Sequence, residues 1–320
     1  MKCNFCTIFA KNYLYQGLAL YNSLFHCCPD FQLWVLCMDE ITYEILKKLK
    51  LDRARLISLR ELENEDRELL MIKKSRTIGE YCWTCKAPLI TYILNKDSDI
   101  AIIVYLDSDL FFYNDPESIY NEFGNASIGI TPHRFPVGKK YLEKDRGIYN
   151  AGFLMFRNDK NSLDCLKWYR EKCLEWCFFR HENGKIGDQG YLNDWPRLFS
   201  GVHIFQHKGI NLAPWNIKNY KIQVVNNQIF IDEVPLIFYH YHSFKIYSIN
   251  EFKPCSLGFN IPKNDQEMVY KPYFTELNKI ITEIKGIEPN FQSGFALKAN
   301  LIEKIKEKLI GIINQFNLRR

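Results

Sequence analysis

The N-terminal part of the chain alternates between short apolar runs and segments whose apolar residues recur every three or four positions. Unbroken apolar runs are typical of buried strands, and the longer period is typical of helices that bury one face. The order strand–helix–strand–helix–strand predicts a parallel, doubly wound α/β sheet. The strands are CNFCTIFA, FQLWVLCM and ARLISL, and the helices are residues 12–25 and EITYEILKKL.

The strongest strand signal is the apolar run IAIIVYL at residues 100–106. No charged residue interrupts it, which predicts a central strand buried on both faces. A helix is predicted before it over residues 81–94, with a kink at Pro88 because proline lacks the amide proton that a helix interior needs. After the run, Asn114, Asp115 and Pro116 predict a turn and the start of a short helix.

The second half of the chain contains further strand patterns and one long helix at residues 162–178. The predicted strands are ASIGITP, NAGFLMF, HIFQ, IQVV, QIFI and VPLIFYHYHSF, with an Asn226-Asn227 turn between IQVV and QIFI. After residue 254 the pattern changes to helices and connectors. We therefore predict a main domain over residues 1–254 and a C-terminal helical extension over residues 255–320, ending in a basic amphipathic helix at 296–320.

Composition narrows the classes of protein. A net charge of +5 over 320 residues is too small to indicate a nucleic-acid partner. No run of about 20 apolar residues predicts a transmembrane helix, and the first residues do not resemble a secretory signal. We therefore expect a cytoplasmic protein whose eleven cysteines are reduced. Two C-x-x-C pairs, Cys3/Cys6 and Cys82/Cys85, have zinc-like spacing, but their strand and helix patterns favour core packing.

Two carboxylates follow the central strand and carry the first chemical signal. Asp107 and Asp109 come directly after it, at the edge where ligands bind in doubly wound sheets. Two residues apart in extended backbone, both side chains can face the same way. Such a pair repels unless a divalent cation lies between them, and the cation leaves coordination positions for phosphate oxygens. A solvated acidic turn is the simpler alternative.

Four ordered segments resemble a known family. YLDSDLFF is similar to the D-x-D segment of GT-A glycosyltransferases, especially the family 8-like group that includes glycogenin and lipopolysaccharide galactosyltransferases. YNAGFLMFRND, GDQGYLND and HYHSFK resemble three later motifs of that group. The resemblance covers residues 1–254. The chain departs from the pattern in HYHSFK, where Ser243 replaces the usual glycine and Lys245 comes one residue early.

The resemblance implies a GT-A fold, a Rossmann-like mixed sheet flanked by helices, and residues with defined roles. Asp107, Asp109 and His240 would hold a divalent metal ion, Mn²⁺ or Mg²⁺. Imidazole in the ligand set favours Mn²⁺, and His242 remains an alternative ligand because it points to the same face of a strand. The resemblance further implies a donor-binding set of Thr7, Asn12, Tyr13, Lys86, Asp107, Ser108 and Lys245, and a catalytic set of Asn150, Asp188 and Gln189.

Ordinary structural roles compete with two of these assignments. The alternative for Lys86 is an ordinary lysine on the protein surface, which is the usual position of this residue type. The alternative for Asp188 is a helix N-cap whose carboxylate binds backbone amides of the first turn. As a catalytic carboxylate, Asp188 would stabilise the transition state of a retaining enzyme or act as general base in an inverting one.

The sequence thus predicts a metal-dependent glycosyltransferase that uses a nucleotide-diphosphate sugar, with uracil as the base that the resemblance favours. The acceptor would be a glycan or a lipid-linked glycan in cell-surface polysaccharide assembly. The basic helix at 296–320 would pack on protein, pair with a second copy or contact the inner face of an anionic membrane. The rival enzyme class is a nucleotidylyltransferase, but this chain lacks the glycine-rich loop that such enzymes usually carry after their first strand. The P-loop motif of kinases is also absent from the sequence. A non-catalytic nucleotide-sugar-binding protein remains the alternative from another class.

Overall fold

The computed structural model of the protein describes residues 2–182 and 184–298. The strands in these ranges are, in chain order, β1 (Cys3–Phe9), β2 (Phe31–Cys37), β3 (Ala54–Ser58), β4 (Ile102–Leu106), β5 (Leu110–Phe112), β6 (Ile128–Pro132), β7 (Tyr149–Arg157), β8 (His181–Glu182), β9 (Lys185–Ile186), β10 (Val202–Ile204), β11 (Ile222–Val225), β12 (Gln228–Ile231), β13 (Val234–Pro235), β14 (Phe238–His240), β15 (Lys245–Ser248) and β16 (Glu251–Lys253).

The α-helices are α1 (Leu14–Cys27), α2 (Glu40–Leu49), α3 (Leu59–Glu65), α4 (Arg67–Ile72), α5 (Ile78–Thr84), α6 (Lys86–Lys96), α7 (Glu117–Phe123), α8 (Leu142–Arg146), α9 (Lys160–Glu175), α10 (Trp195–Leu198), α11 (Lys263–Asp265) and α12 (Lys271–Ile287). Short 3₁₀ turns occupy Lys11–Tyr13, Lys73–Ser75, Val137–Lys139, Gln189–Asp194 and Ile217–Asn219, and a π-helical turn occupies Gln266–Tyr270.

The main sheet has the strand order β10–β6–β7–β4–β1–β2–β3. The parallel arrangement predicted from the N-terminal pattern is confirmed for β3, β2, β1 and β4. Strand β7 runs antiparallel to both of its neighbours, β4 and β6, so the sheet is mixed, as the family resemblance implied. Every residue of β4 is buried, which is the expected state of an apolar strand at the centre of a sheet.

Apolar cores fill both faces of the sheet. The larger core joins one face to α1 and α12, and the smaller one joins the opposite face to α5, α6 and α9. The helices at 12–25 and 162–178 are confirmed with shifted ends, and Asp159 caps α9 through its carboxylate. The burial of long apolar stripes on two faces explains why the alternating sequence folds as three layers.

The predicted helix over residues 81–94 is wrong in one respect. It is two helices, α5 and α6, that meet at Cys85, and Pro88 does not kink an unbroken helix. Since α6 begins at Lys86, Pro88 lies in its first turn, where a backbone amide has no partner within the helix. The break also sets the direction of Lys86, which matters for the site described below.

Smaller sheets complete the fold. Strand β14 pairs antiparallel with β5, the short strand that follows the acidic segment. The Asn226-Asn227 turn between β11 and β12 is confirmed, and both asparagines have positive φ, as a tight hairpin turn requires.

The C-terminal part of the described chain packs on the main domain. Helix α12 contributes Tyr273, Leu277 and Ile281 to the larger core, and Glu276 accepts a hydrogen bond of 2.8 Å from Asn22 on α1. The division at residues 254 and 255 stays a prediction. Of the predicted helix at 296–320, residues 296–298 are irregular and 299–320 lie outside the described residues. None of the helices within the described ranges has the length and apolar character needed to cross a bilayer.

Candidate functional site

The site forms at the carboxyl edge of β4. Asp107, Ser108 and Asp109 connect β4 to β5, and the amide of Asp107 donates a 2.8 Å hydrogen bond to the carbonyl of Gly152 on β7. Because β7 is antiparallel to β4, the start of β7 lies beside the end of β4. The sheet topology therefore brings the acidic segment and the YNAGF segment together.

Lys86 is buried at the centre of the site. Its ammonium lies 2.8 Å from Oδ2 of Asp188 and 3.4 Å from Oδ1 of Asp107, and it donates a 2.9 Å hydrogen bond to the carbonyl of Ala151. Burial lowers the pKa of Lys86, but the two carboxylates raise it by more, so it stays protonated. The alternative of an ordinary surface lysine is therefore wrong.

Buried tyrosines support both carboxylates that contact Lys86. The hydroxyl of Tyr105 donates to Oδ1 of Asp107 at 2.8 Å, and the hydroxyl of Tyr169 donates to Oδ2 of Asp188 at 2.9 Å. Asp188 does precede the 3₁₀ turn Gln189–Asp194, but its side chain makes no capping hydrogen bond. Its carboxylate is used by Lys86 and Tyr169 instead, which does not fit the N-cap alternative.

On the other side of Asp107, three potential metal ligands converge. Asp109, His240 and His242 each place one ligand atom within 4.8 Å of the others. Nε2 of His240 lies 3.1 Å from Oδ1 of Asp109 and 3.9 Å from Oδ2 of Asp107. The structure thus places the predicted ligands Asp107, Asp109 and His240 together and adds His242 to them.

The donor set fits a divalent metal ion. His240 is buried, and neither of its ring nitrogens makes a hydrogen bond with acceptable geometry. Buried polar atoms rarely stay without a partner, and a nitrogen that faces two carboxylates is placed so that all three groups could bind one divalent cation. Carboxylate oxygens with imidazole suit Mn²⁺.

No cysteine belongs to a metal-ligand group in residues 2–182 and 184–298, so the C-x-x-C pairs do not form a zinc site there.

Charges in this cluster shift the pKa of each neighbour. Burial lowers the pKa of His240, but the carboxylates of Asp109 and Asp107 raise it by more, and its pKa lies above the usual value. Burial raises the pKa of Asp109, while His240 lowers it by more. Burial and the charge of His240 lower the pKa of His242 to about 4, which leaves a neutral imidazole able to bind metal.

Gly152 allows these groups to come close. A Cβ atom at this position would lie 2.6 Å from Cε1 of His240, 2.9 Å from Oδ2 of Asp107 and 2.9 Å from Oδ1 of Asn150. These separations are too short for any side chain to be added without moving the site. The glycine in YNAGF is therefore required by close packing of three functional groups.

Asn150 and Gln189 form an amide network at the same place. Nδ2 of Asn150 lies 3.4 Å from Oε1 of Gln189, and Oδ1 of Asn150 accepts from the amide of Gly152 at 3.1 Å. Asn211, a residue that the sequence patterns did not identify, lies 3.4 Å from Oδ1 of Asn150. The three predicted catalytic residues thus lie together, with Lys86 among them.

The predicted donor-binding residues differ in their exposure and in their position relative to the site. Tyr13 is 41% exposed, and burial of its hydroxyl, with the negative charges of Asp109 and Asp107, raises its pKa. Asn12 lies beside it on the surface, whereas Thr7 and Ser108 are buried. Lys245 lies on β15 opposite Lys253 and does not line the cavity described next. Thr7, Asn12, Tyr13 and Ser108 do not line that cavity either, so the donor-binding roles of all five residues stay predictions.

A cavity of about 240 Å³ opens over Lys86, Asp107, Asn150, Asp188 and His240. Aromatic walls that the sequence patterns missed enclose it, because most of them are single aromatic residues in loops, which carry no periodic signal; Trp83 lies on α5. They are Trp83 and Phe179 on one side and His133, Phe135, Trp215 and Phe259 on the other. Arg146 also lines the cavity.

The segment after β14 explains the Ser243 substitution. Ser243 has φ of +60°, the left-handed region that favours glycine, so a glycine at this position would adopt the same backbone without strain. The side chain of Ser243 lines the cavity. The strained turn directs the chain away after His242, and Lys245 is consequently carried into the β15–β16 hairpin.

Helix α12 supports the histidine strand from behind. Tyr241 lies between the two histidines, and its ring stacks on Tyr273 of α12 with 3.6 Å between ring centroids. Its hydroxyl donates to the carbonyl of Val269 at 2.8 Å. The positions of His240 and His242 therefore depend on a helix that lies about thirty residues later in the chain.

The fold and its site define a class. The structure aligns with that of the galactosyltransferase LgtC in complex with donor and acceptor sugar analogues, with a TM-score of 0.53 and 16% identity over 87% of this chain and 95% of LgtC. A structure of an LgtC active-site mutant aligns with a TM-score of 0.50. The fold is that of the GT-A glycosyltransferases, as the sequence predicted.

Two curated proteins of Bacillus subtilis (strain 168) show the family to which the chain belongs. It is 35% identical to the uncharacterized protein YfnD over 298 residues, which is 92% of this chain and 95% of YfnD. It is 36% identical to the uncharacterized protein YfnF over 307 residues, which is 93% of this chain and 99% of YfnF. The chain belongs to the family of YfnD and YfnF. No protein-family model matches it.

Proposed function

We propose that this protein is a metal-dependent glycosyltransferase that moves a sugar from a nucleotide-diphosphate donor, a UDP-sugar, to a glycan or glycolipid acceptor. The observation that carries the proposal is the convergence of two sets of groups at one cavity, whose lining includes His240, His242, Lys86 and Asp188. One set is the Asp109, His240 and His242 cluster, and the other is Asp188 held by Lys86. A fold shared with glycosyltransferases supports the same conclusion.

Different residues of the chain would bind the metal ion and act on the sugar. Asp107, Asp109 and His240, with His242 beside them, would hold Mn²⁺ or Mg²⁺, which as a Lewis acid stabilises negative charge on a leaving diphosphate. Asp188 would lie near the reacting sugar carbon with its carboxylate fixed by Lys86.

The sugar itself would contact the amide network. Asn150 and Gln189 would bind its hydroxyls through side-chain amides, which can both donate and accept. The aromatic walls would exclude water from the reaction and stack on sugar rings. Tyr13 and Asn12, at the edge beyond Asp107, would contact the nucleoside.

The biological setting that we propose is cell-surface polysaccharide assembly at the cytoplasmic face of the membrane. The proposal rests on the basic character of residues 296–320 and on the lipid-linked acceptors common in such assembly. Removal of these residues should abolish binding to anionic vesicles and leave transfer to a soluble acceptor unchanged. Aggregation of the shortened protein would instead indicate that the segment belongs to the folded core.

Turnover can be tested by UDP release from a panel of UDP-sugars with Mn²⁺. Asp188→Asn preserves shape but removes charge, and we expect the rate to fall by roughly a hundredfold while UDP binding persists. Asp194→Asn is the matched control, because Asp194 lies in the same segment and pairs with Arg197 at the surface.

Formation of a nucleotide-sugar from a nucleoside triphosphate and a sugar phosphate, without UDP release, would favour a nucleotidylyltransferase and contradict the proposal. UDP-sugar binding without turnover would favour the non-catalytic alternative.

A further inference from the structure

Among the described residues that line the cavity, one cation has no ion-pair partner within the described ranges. Of the described residues that line it, Lys86 and Arg146 carry permanent positive charges. Lys86 is fully engaged by Asp107 and Asp188. The guanidinium of Arg146 has no hydrogen-bond or ion-pair partner within residues 2–182 and 184–298, and the side chain is exposed to the cavity mouth.

The backbone at Arg146 is nevertheless fixed to the reaction centre. Its carbonyl accepts a 2.6 Å hydrogen bond from Nε2 of Gln189, the residue after Asp188. The neighbouring Gly147 has φ of +85°, and a Cβ atom there would lie 3.5 Å from the carbonyl oxygen of Gln189, so the turn that ends α8 lies close to this segment. An arginine whose main chain is anchored and whose side chain is unpaired is available for an external anion.

The chain also lacks a cation where its motif suggested one. Lys245, the lysine of HYHSFK, lies on the β15–β16 hairpin and not in the cavity. A diphosphate brings more negative charge than a single divalent cation neutralises, so a further positive group is needed beside it. Arginine suits this task because its planar guanidinium can donate two parallel hydrogen bonds to phosphate or carboxylate oxygens.

We propose that Arg146 binds an oxyanion of a substrate in this cavity, taking the place that Lys245 does not fill. The proposal rests on the proposed function, since it assumes that nucleotide-sugar chemistry takes place there. The oxyanion is either the diphosphate of the donor or an acidic group, phosphate or carboxylate, on the acceptor.

Calorimetry with UDP and uridine in the presence of Mn²⁺ tests the donor source. Arg146→Gln should weaken UDP binding about tenfold, the effect of one charged hydrogen bond at a partly exposed site, and leave uridine binding unchanged. Arg146→Lys should restore part of the affinity. Lys144→Gln is the control, because Lys144 lies on the same helix α8 outside the cavity lining.

The acceptor source is tested with glucose 6-phosphate, glucuronate and glucose as probes on the UDP–Mn²⁺ complex. Unchanged UDP affinity with loss of the preference for the charged sugars in Arg146→Gln assigns the oxyanion to the acceptor. Unchanged UDP affinity and unchanged probe binding overturn the inference while the proposed function stands. A wild-type protein that binds neither UDP nor GDP with Mn²⁺ contradicts the proposed function itself and overturns this inference with it.

Discussion

The site has two halves that meet at Asp107 and differ in how their charges are satisfied. In the lysine half, Lys86 lies between Asp107 and Asp188, and a buried tyrosine hydroxyl supports each carboxylate. In the histidine half, Asp109, His240 and His242 face one another, and the ring nitrogens of His240 have no well-formed hydrogen bond. One half is complete within the protein, and the other is not.

This difference separates groups that maintain the site from groups that act when a ligand binds. Buried polar atoms without partners cost about 1–3 kcal/mol each, so they persist only where something else compensates. The lysine half can therefore be preformed and rigid, whereas the histidine half gains stability when a cation enters. Removal of the cation from the lysine half should act mainly on the fold, and changes to the histidine half should act mainly on metal response.

Removal of the central cation should have the largest effect. Lys86→Met leaves the buried Asp188 without its counter-ion, and we expect the free energy of unfolding to fall by roughly 3–5 kcal/mol in urea titrations. Adding Asp188→Asn should recover part of the loss, since no unpaired charge then remains. Lys96→Met, which removes an exposed pair with Glu65, should have no measurable effect. A Lys86→Met protein as stable as the wild type would show that the lysine half does not support the fold.

Metal ions should stabilise the histidine half by an amount that depends on their concentration. At a Mn²⁺ concentration one hundredfold above its Kd, the wild type should gain about 2.7 kcal/mol over the protein in EDTA. Asp109→Asn should abolish the gain, and Asp194→Asn should keep it. His240→Ala should reduce the gain more than His242→Ala. The reverse order would make His242 the principal ligand.

Acid should destabilise the protein through His133, whose buried imidazole is neutral in the folded state. Burial lowers the pKa of His133 to about 3, whereas the unfolded chain titrates near 6.5. The unfolded state therefore binds a proton that the folded state does not, and stability falls as pH decreases from 6.5 towards 3. The slope is about 1.4 kcal/mol per pH unit for this one group.

The contribution of His133 can be isolated by comparing variants over that pH range. Its imidazole stacks on Phe135 with 4.8 Å between ring centroids, and Nδ1 has no hydrogen bond. His133→Gln should flatten the pH dependence of the free energy of unfolding, while His26→Gln, at an exposed position, should not. An unchanged slope in His133→Gln would mean that the folded state accommodates the charged ring.

The smallest effect is expected at the turn that follows the histidines. Ser243→Gly removes the strain of a positive φ at a non-glycine residue and should raise stability by less than about 1 kcal/mol, because glycine also increases the entropy of the unfolded chain. Ser248→Gly, within β15, should destabilise instead. A loss of stability in Ser243→Gly would show that the serine side chain contributes a contact that outweighs the strain.

The sequence predicted the parts of this site that follow from strand order. Asp107 and Asp109 could be placed at a ligand-binding edge because the apolar run before them identifies β4 as central. Asn150 and Asp188 came from the family resemblance, since no periodic pattern distinguishes a catalytic carboxylate from a capping one. The partners Tyr105 and Tyr169 were out of reach, because a buried tyrosine on a strand or helix has the same pattern as any core residue.

The errors have physical reasons of a similar kind. The kink expected at Pro88 became a break at Cys85, because the preceding helix ends before the proline and leaves it in a first turn. The family resemblance implied a donor role for the lysine of HYHSFK, and that role stays a prediction. The direction of the hairpin after Ser243 is a backbone property that the motif does not encode. Most of the aromatic walls come from loops, and Arg146 lies at the end of the short helix α8; the positions of such segments in space are set by tertiary packing.

The stacking of Tyr241 on Tyr273 has a consequence for how the protein is made. Asp107 and Asp109, which follow β4, emerge from the ribosome long before α12, and the segment that carries His240 and His242 gains its aromatic support when α12 packs behind it. A growing chain should therefore hold Mn²⁺ weakly until residue 287 has left the exit tunnel. Metal retention would then serve as an assay for completed synthesis, and a chain released early would be recognisable by its failure to retain the ion.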